Sequence, residues 1–180
     1  MATNPSRGEV TVEKLIRSLC CVITSAVLAR RESIVAAGLF DETLPNSQDF
    51  DFWLRLAKDA QARITYQRRV LVRRRIHSGS LAFDSTKSFA GELRVLNKMS
   101  LRDDLTLEER AAIAATISQR EAEVAVINGK RALADEDFAT AERSFQFANE
   151  HLRSWKLQLV LVWLRLAPSL LRRVYKLRPT

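Results

Sequence analysis

At 180 residues the chain has room for one ordinary domain or a small domain with an appendage, and 47% apolar residues beside 5 Gly and 4 Pro exclude a disordered or collagen-like polypeptide. Lys and Arg number 29 against 21 Asp and Glu, giving a formal charge of +8 and a pI near 10.1. That balance favours phosphate-bearing partners: a nucleotide, an anionic membrane surface or nucleic acid.

Taken in chain order, residues 1–18 read as a loose lead, and Met1 to Glu13 lacks the apolar stretch of a secretory signal. Leu19 to Leu28 (LCCVITSAVL) is β-rich and predicts a buried strand. It holds the only two cysteines, Cys20 and Cys21, which are too close to bridge without strain and have no spaced partner for zinc. Reduced thiols in a core, in a cytosolic chain, are expected. Arg30 to Ala37 predicts a short helix, with Gly38 ending it at positive φ. A loop from Asp41 to Gln48 follows, containing Pro45. Asn46 with Asp49 predicts a cap for a helix running to about Asp59, with an apolar stripe of Phe50, Trp53, Leu54 and Ala57. Two short strands are expected next, Ala62–Tyr66 and Val70–Ile76, around Gln67-Arg68-Arg69. On the second, Arg73, Arg75 and His77 would share one face. For Arg73 the expected role is a solvated edge protected by charge.

From about Ser85 the sequence turns helical and charge-laced. Gly129, Ala132, Ala141, Phe145 and Ala148 match the small and large packing positions of one tetratricopeptide-type hairpin, with Asp135-Glu136-Asp137 as its turn. One such unit cannot bury its own face, so packing against neighbouring helices is expected. From His151 to Thr180 the chain carries Arg153, Lys156, Arg165, Arg172, Arg173, Lys176 and Arg178 and no acid. Leu157 to Leu164 is apolar, and Pro168 should break or restart the helix. A basic amphipathic segment with Trp among Leu residues suggests an anionic membrane surface as partner for residues 153–178, or else a terminal helix closing the bundle. No run of ~18 uncharged apolar residues occurs, so no spanning helix is expected.

Four stretches in order carry a sharper signal: Ser25-Ala26-Val27-Leu28 with Arg30-Arg31, Ala37-Gly38-Leu39-Phe40-Asp41-Glu42, Gln48-Asp49-Phe50-Asp51-Phe52-Trp53-Leu54-Arg55, and Arg75-Ile76-His77-Ser78-Gly79-Ser80. Over roughly Thr24 to Ser80 the chain resembles the end of the catalytic domain of family 2 glycosyltransferases. The resemblance implies the A-type nucleotide-diphospho-sugar transferase fold, with Asp49 as the general base that takes a proton from an acceptor hydroxyl. A helix N-terminus favours the anion, so such a base depends on positioning. The resemblance also places Arg75 and His77 near the leaving diphosphate and implies Mg²⁺ or Mn²⁺ in a complete enzyme. Trp53 would be either the floor of an acceptor pocket or a core residue. Gln48 stands where the family usually has Glu. Asp49-Phe50-Asp51 does not serve as a metal motif, because helix positions i and i+2 point roughly 200° apart; no metal ligand is assigned. Asp51 is expected to pair with Arg55 on the wet face.

A complete enzyme of that kind also has an α/β half with an Asp-x-Asp metal site, and neither it nor a glycine-rich phosphate loop is found here. The expected fold is therefore α+β: an incomplete α/β sheet region over residues 19–84, then an all-α extension over 85–180. The expected function is transfer of a sugar, with inversion, from a nucleotide-diphospho-sugar to a glycan or lipid-linked acceptor. This chain alone would be incomplete or inactive, and its open sheet edge would favour self-association or a second chain. The alternative is a non-enzymatic helical interaction module, associated with a membrane surface. Nucleic-acid binding rests on charge alone, without a reading motif, so no specific nucleic acid is expected. The expected location is the cytoplasm or the inner face of the membrane.

Overall fold

The computed structural model describes residues 9–60, 62–66, 72–73 and 85–176. Among them eight α-helices form: α1 (Val12–Ile16), α2 (Arg31–Ala36), α3 (Gln48–Lys58), α4 (Ser85–Ser100), α5 (Leu107–Ala134), α6 (Phe138–Leu152), α7 (Trp155–Leu166) and α8 (Pro168–Lys176). The chain divides into two compact units, Met1–Thr116 and Ile117–Thr180.

The expected α+β architecture is corrected. No strand forms among the described residues; the only pairing is an isolated antiparallel bridge in which the Val10 N–H donates to the Ile64 carbonyl at 3.3 Å. β-branched composition favours a strand only where a neighbouring ladder satisfies its backbone. Leu19 to Leu28 has no such neighbour among the described residues. It turns instead, with a 3-10 segment at Thr24–Ala26 closed by Ala26 N–H donating to Ile23 O at 2.8 Å. Its apolar side chains face outward, and Leu28 is 100% exposed. The cysteines leave the expected core too: Cys20 is half-buried and Cys21 exposed, and neither is in a disulfide. Of the two later strands, Ala62–Tyr66 contributes only the Ile64 bridge, and most of Val70–Ile76 lies outside the described residues.

The core of the first unit is built on α3. Phe52, Trp53, Leu54 and Leu56 are buried, α1 adds Leu15 and Ile16, and α4 adds Val95, Leu96 and Met99. The expected stripe is corrected: of its four residues Trp53 and Leu54 are buried but Phe50 and Ala57 only half-buried, while Asp51, Phe52 and Leu56 are buried, because α1, α2 and α4 all contact α3. Thr11 caps α1 by accepting from Lys14 N–H at 3.3 Å. At the start of α5, Thr106 and Glu109 form a reciprocal capping box: Glu109 N–H donates to Thr106 Oγ1 at 3.1 Å and Thr106 N–H to Glu109 Oε2 at 2.9 Å.

In the second unit the hairpin turn falls at Asp135-Glu136-Asp137. Glu136 takes the left-handed conformation (φ 65°), and Asp137 caps α6 by accepting from Thr140 N–H at 3.0 Å. Ala132, Ala141, Phe145 and Ala148 are buried, and Leu133 and Leu164 join Phe145 in one cluster. Gly129 is required by contact: a Cβ there would lie 2.8–3.0 Å from the Phe145 ring. Leu157, Val160 and Leu161 of α7 and Leu171 and Tyr175 of α8 cover the cluster, supplying the apolar surface a lone hairpin lacks. Pro168 opens α8 at its first turn, where the missing N–H costs nothing. No described helix is long and apolar enough to cross a membrane.

Candidate functional site

The motif-bearing segments of the first unit meet around α3. Gly38, at φ 79°, ends the α2 turn, and its neighbouring carbonyls point at Arg55. The Arg55 guanidinium donates to Leu39 O at 2.6 Å and also to Ala37 O. Its Nε donates to Asp51 Oδ2 at 2.8 Å, one turn back on the same helix. The other oxygen of Asp51 accepts from Lys98 Nζ of α4 at 2.8 Å, and Lys98 also donates to Asp41 Oδ2 at 2.7 Å. Arg55 and Lys98 thus tie the Ala37-to-Asp41 turn to α3 and α4.

Electrostatics follow that chain. Hydrogen bonds from Lys98 and then from the Thr43 hydroxyl and N–H hold Asp41 well below the usual carboxylate range. Burial pulls the Lys98 ammonium down, yet its bonds to Asp41 and Asp51 win and raise it. Asp51 is only 4% exposed. The expected i,i+4 pair with Arg55 therefore forms, but inside the packing of α3 and α4, a correction to the wet face anticipated for it. A buried carboxylate persists only when paired and hydrogen-bonded, and two cations provide that here.

A cleft of about 100 Å³ runs beside this network, lined by Asp51, Leu54, Lys58, Val95, Lys98 and Met99 together with Arg55 and Arg102. Its cations are already engaged: Lys58 pairs with Glu109 at 2.7 Å, and Arg102 with Asp59 at 2.6 Å and Asp104 at 2.7 Å. With its charges matched internally, the cleft is a packing seam and offers little to an added anion.

Asp49 stands apart from all of this. It is exposed in the first turn of α3 and does not line that cleft. Its Oδ1 accepts from Phe50 N–H at 2.8 Å and its Oδ2 from the Thr24 hydroxyl at 3.3 Å. Two acceptor sites on the carboxylate remain open to a hydroxyl. The expected Asn46–Asp49 cap is corrected: Ser47, at φ 62°, is the cap residue and makes no side-chain cap bond. Asn46 instead reaches α4, donating to Lys87 O at 2.9 Å and accepting from Arg94 at 2.7 Å. Trp53, one turn beyond Asp49, is 5% exposed and stacks edge-on against Phe52, and its buried indole N–H meets no acceptor among the described residues. Arg75 and His77 lie outside the described residues, so only Asp49 and Trp53 of the expected set can be placed.

Sequence reasoning missed Thr24 as a partner of Asp49 and Lys98 as a partner of Asp41 and Asp51. The Asp41-x-Thr43 turn was open to recognition from residue types alone; Lys98, 47 residues beyond Asp51, gave no local sign. Among the described residues no group of three or more His, Cys, Asp or Glu could hold a metal ion. No family model, curated protein or solved structure matches the chain.

Proposed function

We propose that this chain carries the acceptor-activating part of a sugar-transfer site, with Asp49 as its base. In the reaction envisaged, the Asp49 carboxylate takes the proton of an acceptor hydroxyl as that oxygen bonds to the anomeric carbon of a nucleotide-diphospho-sugar. The bond to the diphosphate breaks on the opposite face, and the configuration inverts. Donor binding is assigned to residues other than those described, Arg75 and His77 among them. The cytoplasm is the proposed location, since two adjacent cysteines outside any disulfide suit a reducing compartment.

One observation carries the reading. Of the three aspartates in the motif-bearing segments, Asp41 and Asp51 are held in ion pairs that fix the local fold, while among the described residues Asp49 meets a threonine hydroxyl and a backbone N–H and no cation. Folding accounts for the first two and draws from the third no more than a small helix-end charge effect. The test is made in the organism that encodes the chain: Asp49→Asn is introduced at its own locus and surface and lipid-linked glycans are profiled by mass spectrometry. Loss of one sugar addition at unchanged protein level is the expected outcome. A wild-type glycan profile with full-length variant present would refute the assignment.

A further inference from the structure

α7 is apolar on two opposite faces, and the second unit covers one of them. Leu157, Val160, Leu161 and Leu164, at helical spacing, sit on the Phe145 cluster. The outer stripe is Trp155, Leu159, Val162, Trp163 and Leu166, at offsets of 4, 7, 8 and 11 residues, all exposed; Trp155 reaches 65% and Leu166 79%. α8 extends it with exposed Leu170 and Val174. An apolar helix face of this breadth, two tryptophans included, is ordinarily covered.

Charge indicates what covers it. On a helical projection Lys156 lies along one flank of the α7 stripe and Arg165 along the other. Arg165 is neutralised by Glu142, whereas Arg153, Lys156 and Arg173 are exposed and meet no carboxylate among the described residues. From His151 to Thr180 there is no acidic residue at all. A second copy of the chain would bring these cations against their own kind. Twelve residues of helix measure only about 18 Å, too short to span a bilayer. An apolar stripe with Trp155 at its N-terminal end, Trp163 on its Lys156 flank and a cationic rim fits a helix lying in the plane of an anionic lipid surface.

We propose that the outer faces of α7 and α8 dock on an anionic bilayer, with Trp155 and Trp163 entering the headgroup region and Arg153, Lys156 and Arg173 meeting lipid phosphates. The full chain is mixed with vesicles of phosphatidylcholine, with and without phosphatidylglycerol, and bound protein is measured by flotation. Tryptophan emission is followed in parallel, because Trp53 is buried and only Trp155 and Trp163 are free to respond. Binding to the anionic vesicles with a blue shift, weakened by salt, is expected. Leu159→Gln with Val162→Gln, at exposed positions that leave the fold intact by circular dichroism, should lower partitioning on the order of tenfold. Each of Arg153→Gln, Lys156→Gln and Arg173→Gln should weaken it roughly fivefold. The proposal fails if the chain stays unbound at low salt, as it would if the face belongs to an acidic protein. It fails equally if neutral vesicles bind as well as anionic ones, or if lipid-free light scattering shows a dimer that Val162→Gln dissociates.

Discussion

Asp49 and Asp51 are two residues apart on one helix, and the structure gives them opposite tasks, so a matched pair of substitutions separates them. Asp51→Asn keeps the shape but removes the charge facing Arg55 and Lys98, both at 2.8 Å. Removing one member of a buried ion pair costs about 3–5 kcal/mol when the survivor is fully enclosed. Here Lys98 is half in water and Arg55 still bonds the Ala37 and Leu39 carbonyls, so part of that cost is relieved. The expected loss is ~2 kcal/mol, a fall in Tm on the order of 8 °C. Asp49→Asn weakens only a 3.3 Å contact from Thr24 and an exposed helix-end charge, and should stay within ~0.5 kcal/mol of wild type. Urea unfolding of both variants followed by circular dichroism decides the matter. If Asp51→Asn proves as stable as wild type, or Asp49→Asn loses as much, the division of labour argued from their surroundings is wrong. A double-mutant cycle of Asp51→Asn with Arg55→Gln should show coupling, since the two touch directly.

In the second unit, Gly129→Ala puts a methyl 2.8–3.0 Å from the buried Phe145 ring; overpacking of about 1–3 kcal/mol should outweigh the ~1 kcal/mol that alanine adds to helix propensity, so thermal melts should show a net loss. Gly129→Ala in a Phe145→Leu background should be the milder change, because the clashing ring is gone. Gly91→Ala in α4 would set its Cβ 2.5 Å from Asn46 Oδ1 and closer still to Ser47 Oγ, so it should loosen the turn that starts α3 and raise amide exchange there. Stability should also form a plateau in pH. Asp41, Asp104 and Asp137 all have folded values lowered from 3.8, about 2 for Asp104, so the stability they give is present above 3.8 and is lost as pH falls through the folded values. Lys98 is raised from 10.5, so its contribution is present below 10.5 and is lost as pH climbs through the folded value. Burial also raises the Cys20 thiol from 9.0, so melts across pH should be flat between about pH 5 and 8 and fall on either side; a maximum at pH 3 would contradict the pairing of these carboxylates.

What could be read from residues alone was whatever depends on near neighbours in the chain. The Asp51–Arg55 pair is set by helical spacing, the stop at Gly38 by its freedom at positive φ, and the α5–α6 hairpin by small residues recurring on one face. The burial of Asp51 was not legible, because it depends on Lys98 arriving from another helix. The expected strand at Leu19–Leu28 failed for the same reason in reverse: its β-branched residues describe a side chain content that suits a sheet, and among the described residues no second strand lies beside it to accept its backbone hydrogen bonds. A similar argument holds for α7, which read as a basic amphipathic segment without saying which of its apolar residues the Phe145 cluster would take. The same distinction bears on Asp49. Its contact with a hydroxyl 25 residues away could not be read from local spacing, and it enters the proposed function only as a contact that would help to orient the carboxylate.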